Sequence, residues 1–341
     1  ADNENYGSFL QCYALKTVIE KNNKLKIINY IPEHEKQTLF QRLKEHPFST
    51  IKKGLKNKTA KFLGKLPEAY ENQINRHKCF IEFKSKYFTF TKKCTVTNDL
   101  KILNKSFTTF VCGSDQIWNP FFFDPNFFLD FVQDKNNKIA YAPSFGIEKI
   151  ETCKNINQII SLVKKINYLS CREKSGADWL SKKLNKKVPN VLDPSLLLDK
   201  NEWSIVQNKK FKSPEKYILC YFLGSNEIYI NRILKFANKH NLSIVFIPVY
   251  KKDYSRPFII YDNIGPSEFI SLIANASFVC TDSFHGCCFS ILFEKQFGAF
   301  LRFSRNEKNN QNARVINLLQ MFKLGTVLFS KNNNLETIFN T

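Results

Sequence analysis

No stretch of this sequence approaches the roughly 18 to 20 consecutive apolar residues that a membrane-spanning helix needs. The opening residues, ADNENYGSFLQCYALK, lack the basic stretch leading into an apolar core that marks a secretory signal. No Cys-x-x-Cys pair, P-loop, Gly-x-Gly-x-x-Gly turn or His-Glu-x-x-His helix occurs. Clustered zinc sites, nucleoside triphosphate cradles and zincin chemistry therefore lack their usual signatures, and no metal site is expected. Acidic residues are also scarce, 30 against 51 basic ones, leaving a net charge of +21. Basic doublets such as Lys52-Lys53, Lys164-Lys165 and Lys251-Lys252 are spread along the whole chain. Such even spacing favours compositional drift over a dedicated nucleic-acid patch, and no zinc-finger or RNP-like pattern accompanies it, so nucleic acid is not expected as a partner.

What is present describes a two-lobed α/β protein. A length of 341 residues with 43% hydrophobic content provides for two buried cores. The ten cysteines are scattered and several sit inside apolar runs, as in TTFVCG, YILCYF and SFVCTD. They read as small buried hydrophobes in a reducing compartment.

Short apolar runs alternate with helical stripes along the chain. In the first half, a helix is expected over 8–20, with Leu10, Tyr13, Ala14 and Val18 on one stripe. Strands are expected over 107–112, 138–142 and 167–171, with a helix over 174–184. An extended stretch over 188–192 ends at Asp193-Pro194, and Pro189 limits it to a sheet edge. In the second half, strands over 217–223, 243–247, 278–281 and 298–301 alternate with helices over 229–239, 287–294 and 313–322. Ser267 reads as the N-cap of another helix. Such alternation implies βαβ units and one parallel sheet in each half. The polar break from Asn208 to Glu215 suggests lobes of 1–208 and 209–341. A doubly wound domain normally opens on a strand, so a few upstream residues are expected before Ala1.

In open parallel sheets ligands bind beyond the carboxyl ends of the strands. Three expected strand ends carry polar clusters: Gly113-Ser114-Asp115-Gln116, Arg172-Glu173, and Thr281-Asp282-Ser283-Phe284-His285-Gly286. The third leads into a helix whose first N–H groups, at Gly286 and Cys287, form a ready anion site. Ser283 and His285 point toward the same spot, and Gly286 admits close approach. An imidazole is suited to proton transfer near neutral pH. On the residues alone, His285 equally suits a helix cap, Arg172 a surface ion pair, Asp115 a loop cap and Trp118 core packing. His34, His46, His77 and His240 lie in polar surroundings and read as surface residues.

Taken in order, NYGSFLQCYAL, FVCGSDQIWNP, YAPSFG, CREKSG, VLDPSLLL, YILCYFLG and TDSFHGCCFSILF resemble the polysaccharide pyruvyl transferase family, from Asn5 to about Leu324. The resemblance implies two Rossmann-like lobes facing a cleft, a GT-B-like architecture. It implies transfer of the enolpyruvyl carbons of phosphoenolpyruvate onto two sugar hydroxyls, giving a cyclic ketal and phosphate. The hydroxyl pair would be the 4 and 6 positions of a hexose such as galactose.

In this reading His285 and Asp115 are catalytic, and Arg172, Ser283, Gly286 and Cys287 bind the donor. Asn5, Tyr6, Gln11 and Trp118 would meet the acceptor, a lipid-linked saccharide, and no cofactor is needed. Relatives often carry an arginine two positions before the histidine, where this chain has Ser283. Arg302, Arg305 or Arg314 are the candidates to replace it. The basic amphipathic stretch 48–66 suits an anionic membrane surface, placing the protein in the cytoplasm or at the inner membrane face. A GT-B glycosyltransferase using a nucleotide sugar, or a non-catalytic glycan- or anion-binding protein, are the alternatives.

Overall fold

The computed structural model describes residues 4–32, 68–147, 150–225, 227–304, 307, 310–330 and 334–340, with side chains of the second segment described from 72. The basic stretch 48–66, the missing-residue question at Ala1, and His34, His46 and Arg305 lie outside them. Chain order gives α1 (Tyr6–Glu20), α2 (Glu68–Tyr87), α3 (Thr97–Ile102), β1 (Thr109–Cys112), β2 (Asn137–Ala140), α4 (Ile156–Val163), β3 (Tyr168–Leu169) and α5 (Lys174–Leu184). After α6 (Lys200–Ser204) come β4 (Tyr217–Tyr221), α7 (Glu227–Lys239), β5 (Ser243–Ile247), β6 (Ile259–Ile260) and α8 (Pro266–Asn275). The chain closes with β7 (Phe278–Thr281), α9 (Phe284–Leu292), β8 (Phe297–Ala299), α10 (Asn312–Met321) and α11 (Leu335–Phe339).

Two parallel sheets result. The smaller has the order β1-β2-β3, and the larger β6-β5-β4-β7-β8. In the larger sheet the order runs outward from β4 in both directions, so the switch point falls between β4 and β7. The strand β4 shows why its sequence reads as an unbroken apolar run. Tyr217, Leu219 and Tyr221 enter the core shared with α1, α8 and α9, while Ile218 and Cys220 enter the opposite core with α7 and α11. A strand covered on both faces has no solvent side to alternate with. The stretch at 188–192 makes one parallel bridge, Cys171 to Asn190, and accepts the Cys171 N–H at the Pro189 carbonyl, as an edge segment does.

The architecture is the expected pair of parallel α/β lobes, but the cores divide the chain differently from the break at 208–215. One core takes its buried residues from Cys94 to Val188 around the smaller sheet. Tyr6, Leu10, Tyr13, Ala14, Phe80, Phe83, Leu198 and Trp203 instead belong with the larger sheet. Tyr6 stacks on Phe269 at a ring distance of 4.6 Å and donates its hydroxyl to the Ile264 carbonyl at 3.2 Å. The first helix thus packs on the second lobe, an association between residues over 250 positions apart that local patterning cannot show.

Two boundaries matter for the site. Helix α8 starts at Pro266 with Gly265 as cap, rather than at Ser267, because Pro suits the first helical position and Glu268 reaches back to the Gly265 N–H at 2.9 Å. Helix α9 begins at Phe284, three residues before the expected start. This puts His285 and Gly286 inside its first turn.

Candidate active site

The carboxyl ends of the two sheets meet along α1. After β1, Gly113 takes a φ of 122°, and a Cβ there would lie 1.9 Å from the Tyr141 carbonyl oxygen. That turn delivers Ser114 and Asp115 to the first turn of α1. The Ser8 hydroxyl donates to Asp115 Oδ2 at 2.6 Å, and the Ser114 N–H donates to Gln11 Oε1 at 3.1 Å.

Asp193 joins the two lobes' key side chains. Its Oδ2 accepts from Arg172 Nη1 at 2.7 Å and from the Ser114 hydroxyl at 3.1 Å, and lies 3.6 Å from His285 Nε2. Its Oδ1 is held by the Ser195 N–H at 3.0 Å and hydroxyl at 2.7 Å. Burial by itself would raise the Asp193 pKa, but the His285 and Arg172 charges and these bonds hold it well below the usual carboxylate range. Asp193 is therefore a buried anion facing an imidazole and a guanidinium.

Arg172, 2% exposed, also donates from Nε to Glu173 Oε1 at 3.3 Å and has Nη2 at 3.7 Å from Asp115 Oδ1. Its guanidinium lies 4.4 Å over the Phe284 ring, a cation–π contact. Desolvation opposes its charge, but three carboxylates outweigh it and raise its pKa. At Asp115, burial is likewise overcome by Arg172, then His285, then the Ser8 bond, and the carboxyl pKa is lowered. His285 is sandwiched on its other side: a Cβ on Gly7 would sit 2.0 Å from His285 Nδ1. The imidazole thus presents Nε2 to Asp193 and Nδ1 to the one residue of α1 without a side chain. A small recess flanks the cluster, bounded by Arg172, Asp193, Phe284 and Met321.

His285, Arg172 and Asp115 come together as the sequence suggested, and the other residues do not serve as expected. Ser283 uses its hydroxyl as N-cap of α9, accepting the Gly286 N–H at 3.3 Å. Cys287 donates its N–H to the Ser283 carbonyl at 3.0 Å. The two amides assigned to phosphate are therefore already engaged. The Gly286 α-carbon faces Thr281, whose Oγ1 would be 2.5 Å from an added Cβ, so its smallness serves helix-to-strand packing and not a ligand. The Cys287 thiol is fully buried.

On the acceptor side, Asn5 caps α1 by accepting the Ser8 N–H at 3.1 Å, and Gln11 spans Ser8 and Ser114. Tyr6 is wholly buried, and Trp118, 1% exposed, stacks on Phe128 and donates Nε1–H to the Phe127 carbonyl. Neither ring has a face left for a sugar, because core packing takes both sides. Trp118→Ala is expected to destabilise the fold by about 3–5 kcal/mol, as large core truncations do, and a denaturant titration checks it.

Sequence reasoning missed Asp193, Gly7, Ser8 and Asp282. Asp193 looked like a strand stop and Gly7 like part of a loop. The motifs VLDPSLLL and NYGSFLQ were the available signals. Asp282 sits at the switch point, accepting the Leu223 N–H at 2.7 Å and the Gly224 N–H at 2.8 Å, with Arg302 Nε 3.4 Å away. Among the described residues, no group of three or more His, Cys, Asp or Glu converges as a metal site, and no helix is long and apolar enough to cross a membrane.

These features define a two-lobed α/β protein with a charged site between the carboxyl ends of two parallel sheets. The sequence profile of the polysaccharide pyruvyl transferase family matches residues 5–302, and the chain belongs to that family of transferases. Comparison with curated proteins finds no match. Among solved structures, a putative UDP-N-acetylglucosamine 2-epimerase from Listeria monocytogenes is similar over 98% of this chain and 84% of its own, at 9% identity and a TM-score of 0.49. E. coli heptosyltransferase WaaC with ADP-2-deoxy-2-fluoro heptose is similar over 93% of this chain and 96% of its own, at 9% identity and a TM-score of 0.37.

Proposed function

We propose that this protein transfers the pyruvyl carbons of phosphoenolpyruvate to two hydroxyls of a saccharide acceptor, forming a cyclic ketal. The observation that carries the reading is a set of buried guanidinium nitrogens without hydrogen-bond acceptors around one site: Arg172 Nη2, Arg302 Nε and Arg314 Nε. Buried donors of this kind are costly unless a ligand completes them. A small molecule with a carboxylate and a phosphate matches their number and charge.

In the proposed reaction, His285 gives a ring proton to the methylene carbon of the donor, leaving an oxocarbenium-like centre at C2. A sugar hydroxyl attacks that carbon, the C–O bond to phosphate breaks, and the second hydroxyl closes the ring. Of the two hydroxyl protons, one replaces the proton given to the methyl carbon and the other leaves on phosphate. Asp193 faces Nε2 and stabilises the imidazolium. Asp115, 24% exposed at its side chain, is the carboxylate placed to orient or deprotonate the acceptor. Arg172 acts chiefly as counter-ion to Asp193 and Glu173, with only Nη2 left toward the donor.

A nucleotide sugar is disfavoured by Asp282. In doubly wound sheets the first strand-to-helix turn offers its amides to a pyrophosphate. Here the Leu223 and Gly224 amides of that turn already serve a carboxylate. Purified protein is expected to release phosphate from phosphoenolpyruvate only with acceptor present, and mass analysis of the product should show the ketal. Thermal stabilisation by nucleotide sugars, with none from phosphoenolpyruvate, would overturn the reading. A panel of lipid-linked saccharides, including galactose-ended ones, then identifies the acceptor.

A further inference from the structure

The three arginines of the site differ in one respect. Arg172 is paired with Asp115, Glu173 and Asp193, and Arg302 with Asp282. Arg314, on α10, has no carboxylate within ion-pair distance among the described residues, although it is only 8% exposed. Its side-chain partners are neutral amide oxygens, Gln311 Oε1 at 2.7 Å and the Gln116 amide oxygen at 2.9 Å from Nη1, and its Nε is buried without an acceptor. It lies 6.0 Å over the Phe284 ring, on the residue between Ser283 and His285.

A buried charge is normally paired, because desolvation otherwise costs several kcal/mol. Arg314 bears that cost unrelieved: burial first, and the Arg172 charge second, push its pKa down to about 10. Asp115 and Glu173 attract it only from beyond contact range. The arrangement is that of a cation whose counter-ion arrives from outside.

Resting on the function proposed above, we propose that Arg314 binds the phosphate of the donor, supplying from α10 the cation that this chain lacks at Ser283. Its free Nε, with one Nη exchanged from an amide partner, can take two oxygens of one phosphate, and the pairing ends both the desolvation deficit and the repulsion from Arg172. The same phosphate is the group that must depart with negative charge, so the contact serves the leaving group as well as binding.

Calorimetric titration of the full chain with inorganic phosphate tests this, alongside the Michaelis constant for phosphoenolpyruvate. Arg314→Gln is expected to weaken both by about 10- to 100-fold, the range for one charge-assisted pair. Arg314→Lys, which keeps the charge and loses the fork, should fall between the two. A second readout separates this role from a structural one. Without ligand, Arg314→Gln should melt no lower than wild type, because it removes an uncompensated buried charge, while the stabilisation by phosphate disappears.

Unchanged phosphate affinity in Arg314→Gln overturns the assignment and leaves the proposed reaction standing. Phosphate binding that needs Arg314 in a protein that never turns over phosphoenolpyruvate keeps the assignment and sinks the reaction.

Discussion

Replacing His285 by glutamine is expected to lower kcat for acceptor-dependent phosphate release by about 10²- to 10⁴-fold, the usual contribution of a positioned acid–base group. The Michaelis constant for phosphoenolpyruvate should change much less, because the arginines that hold the anions remain. The imidazole lies between a fixed carboxylate and the glycine backbone of α1. Its Nε2 faces Asp193 at 3.6 Å, and its Nδ1 lies against Gly7. Glutamine keeps polar bulk and loses the titratable proton, so a folded variant with intact circular dichroism isolates the chemistry. Wild-type phosphate release by that variant, with acceptor present, would falsify the proton-donor role.

Asp193→Asn is expected to produce the second large loss, and its signature differs. One carboxylate holds Arg172, Ser114, Ser195 and the charge on His285 together, so its removal leaves a buried guanidinium short of a partner. Breaking a buried pair from one side typically costs about 3–5 kcal/mol, which denaturant unfolding will measure. In assays below the melting range, kcat should also fall, since the carboxylate that orients the His285 ring from 3.6 Å is gone. A merely structural Asp193 would lower stability and leave kcat of the folded enzyme in place.

The sign of the wild-type acid response follows from the same groups. Asp193 and Asp115 both have pKa values lowered in the folded protein. Their contribution is fully present above the unfolded carboxylate value of about 3.9, and is lost as pH falls through the folded values. Unfolding free energy should therefore decline on acidification below about pH 4. The Asp193→Asn variant should show a shallower decline.

Legibility in the sequence followed the range of the interactions. The strands at Ser243–Ile247 and Phe278–Thr281 and the helix Lys174–Leu184 match their expected bounds, because each is a local pattern with its own stops. The start of α9 was misplaced by three residues, since a Ser283 cap looks the same as a loop serine until the Gly286 N–H is seen to reach it. His285, Arg172 and Asp115 could be named because strand ends and family motifs mark them. Asp193 could not be assigned a role, since an Asp-Pro stop carries no hint of the arginine 21 positions earlier. Trp118 and Tyr6 were misassigned for the same reason. An aromatic beside a polar motif suits a sugar or a core equally well, and only packing decides.

The first helix has a consequence for the order in which the chain becomes a protein. The smaller sheet and its core are assembled from residues between Cys94 and Val188 and can close while synthesis continues. Tyr6, by contrast, has its stacking partner at Phe269 and its carbonyl partner at Ile264. The N-terminal helix can meet Phe80 and Phe83 early, but its seat on the second lobe forms only after Phe269 has been made. His285 meets Gly7 only after that long-range closure, so a nascent chain stalled before the second lobe holds a folded half and no reaction centre.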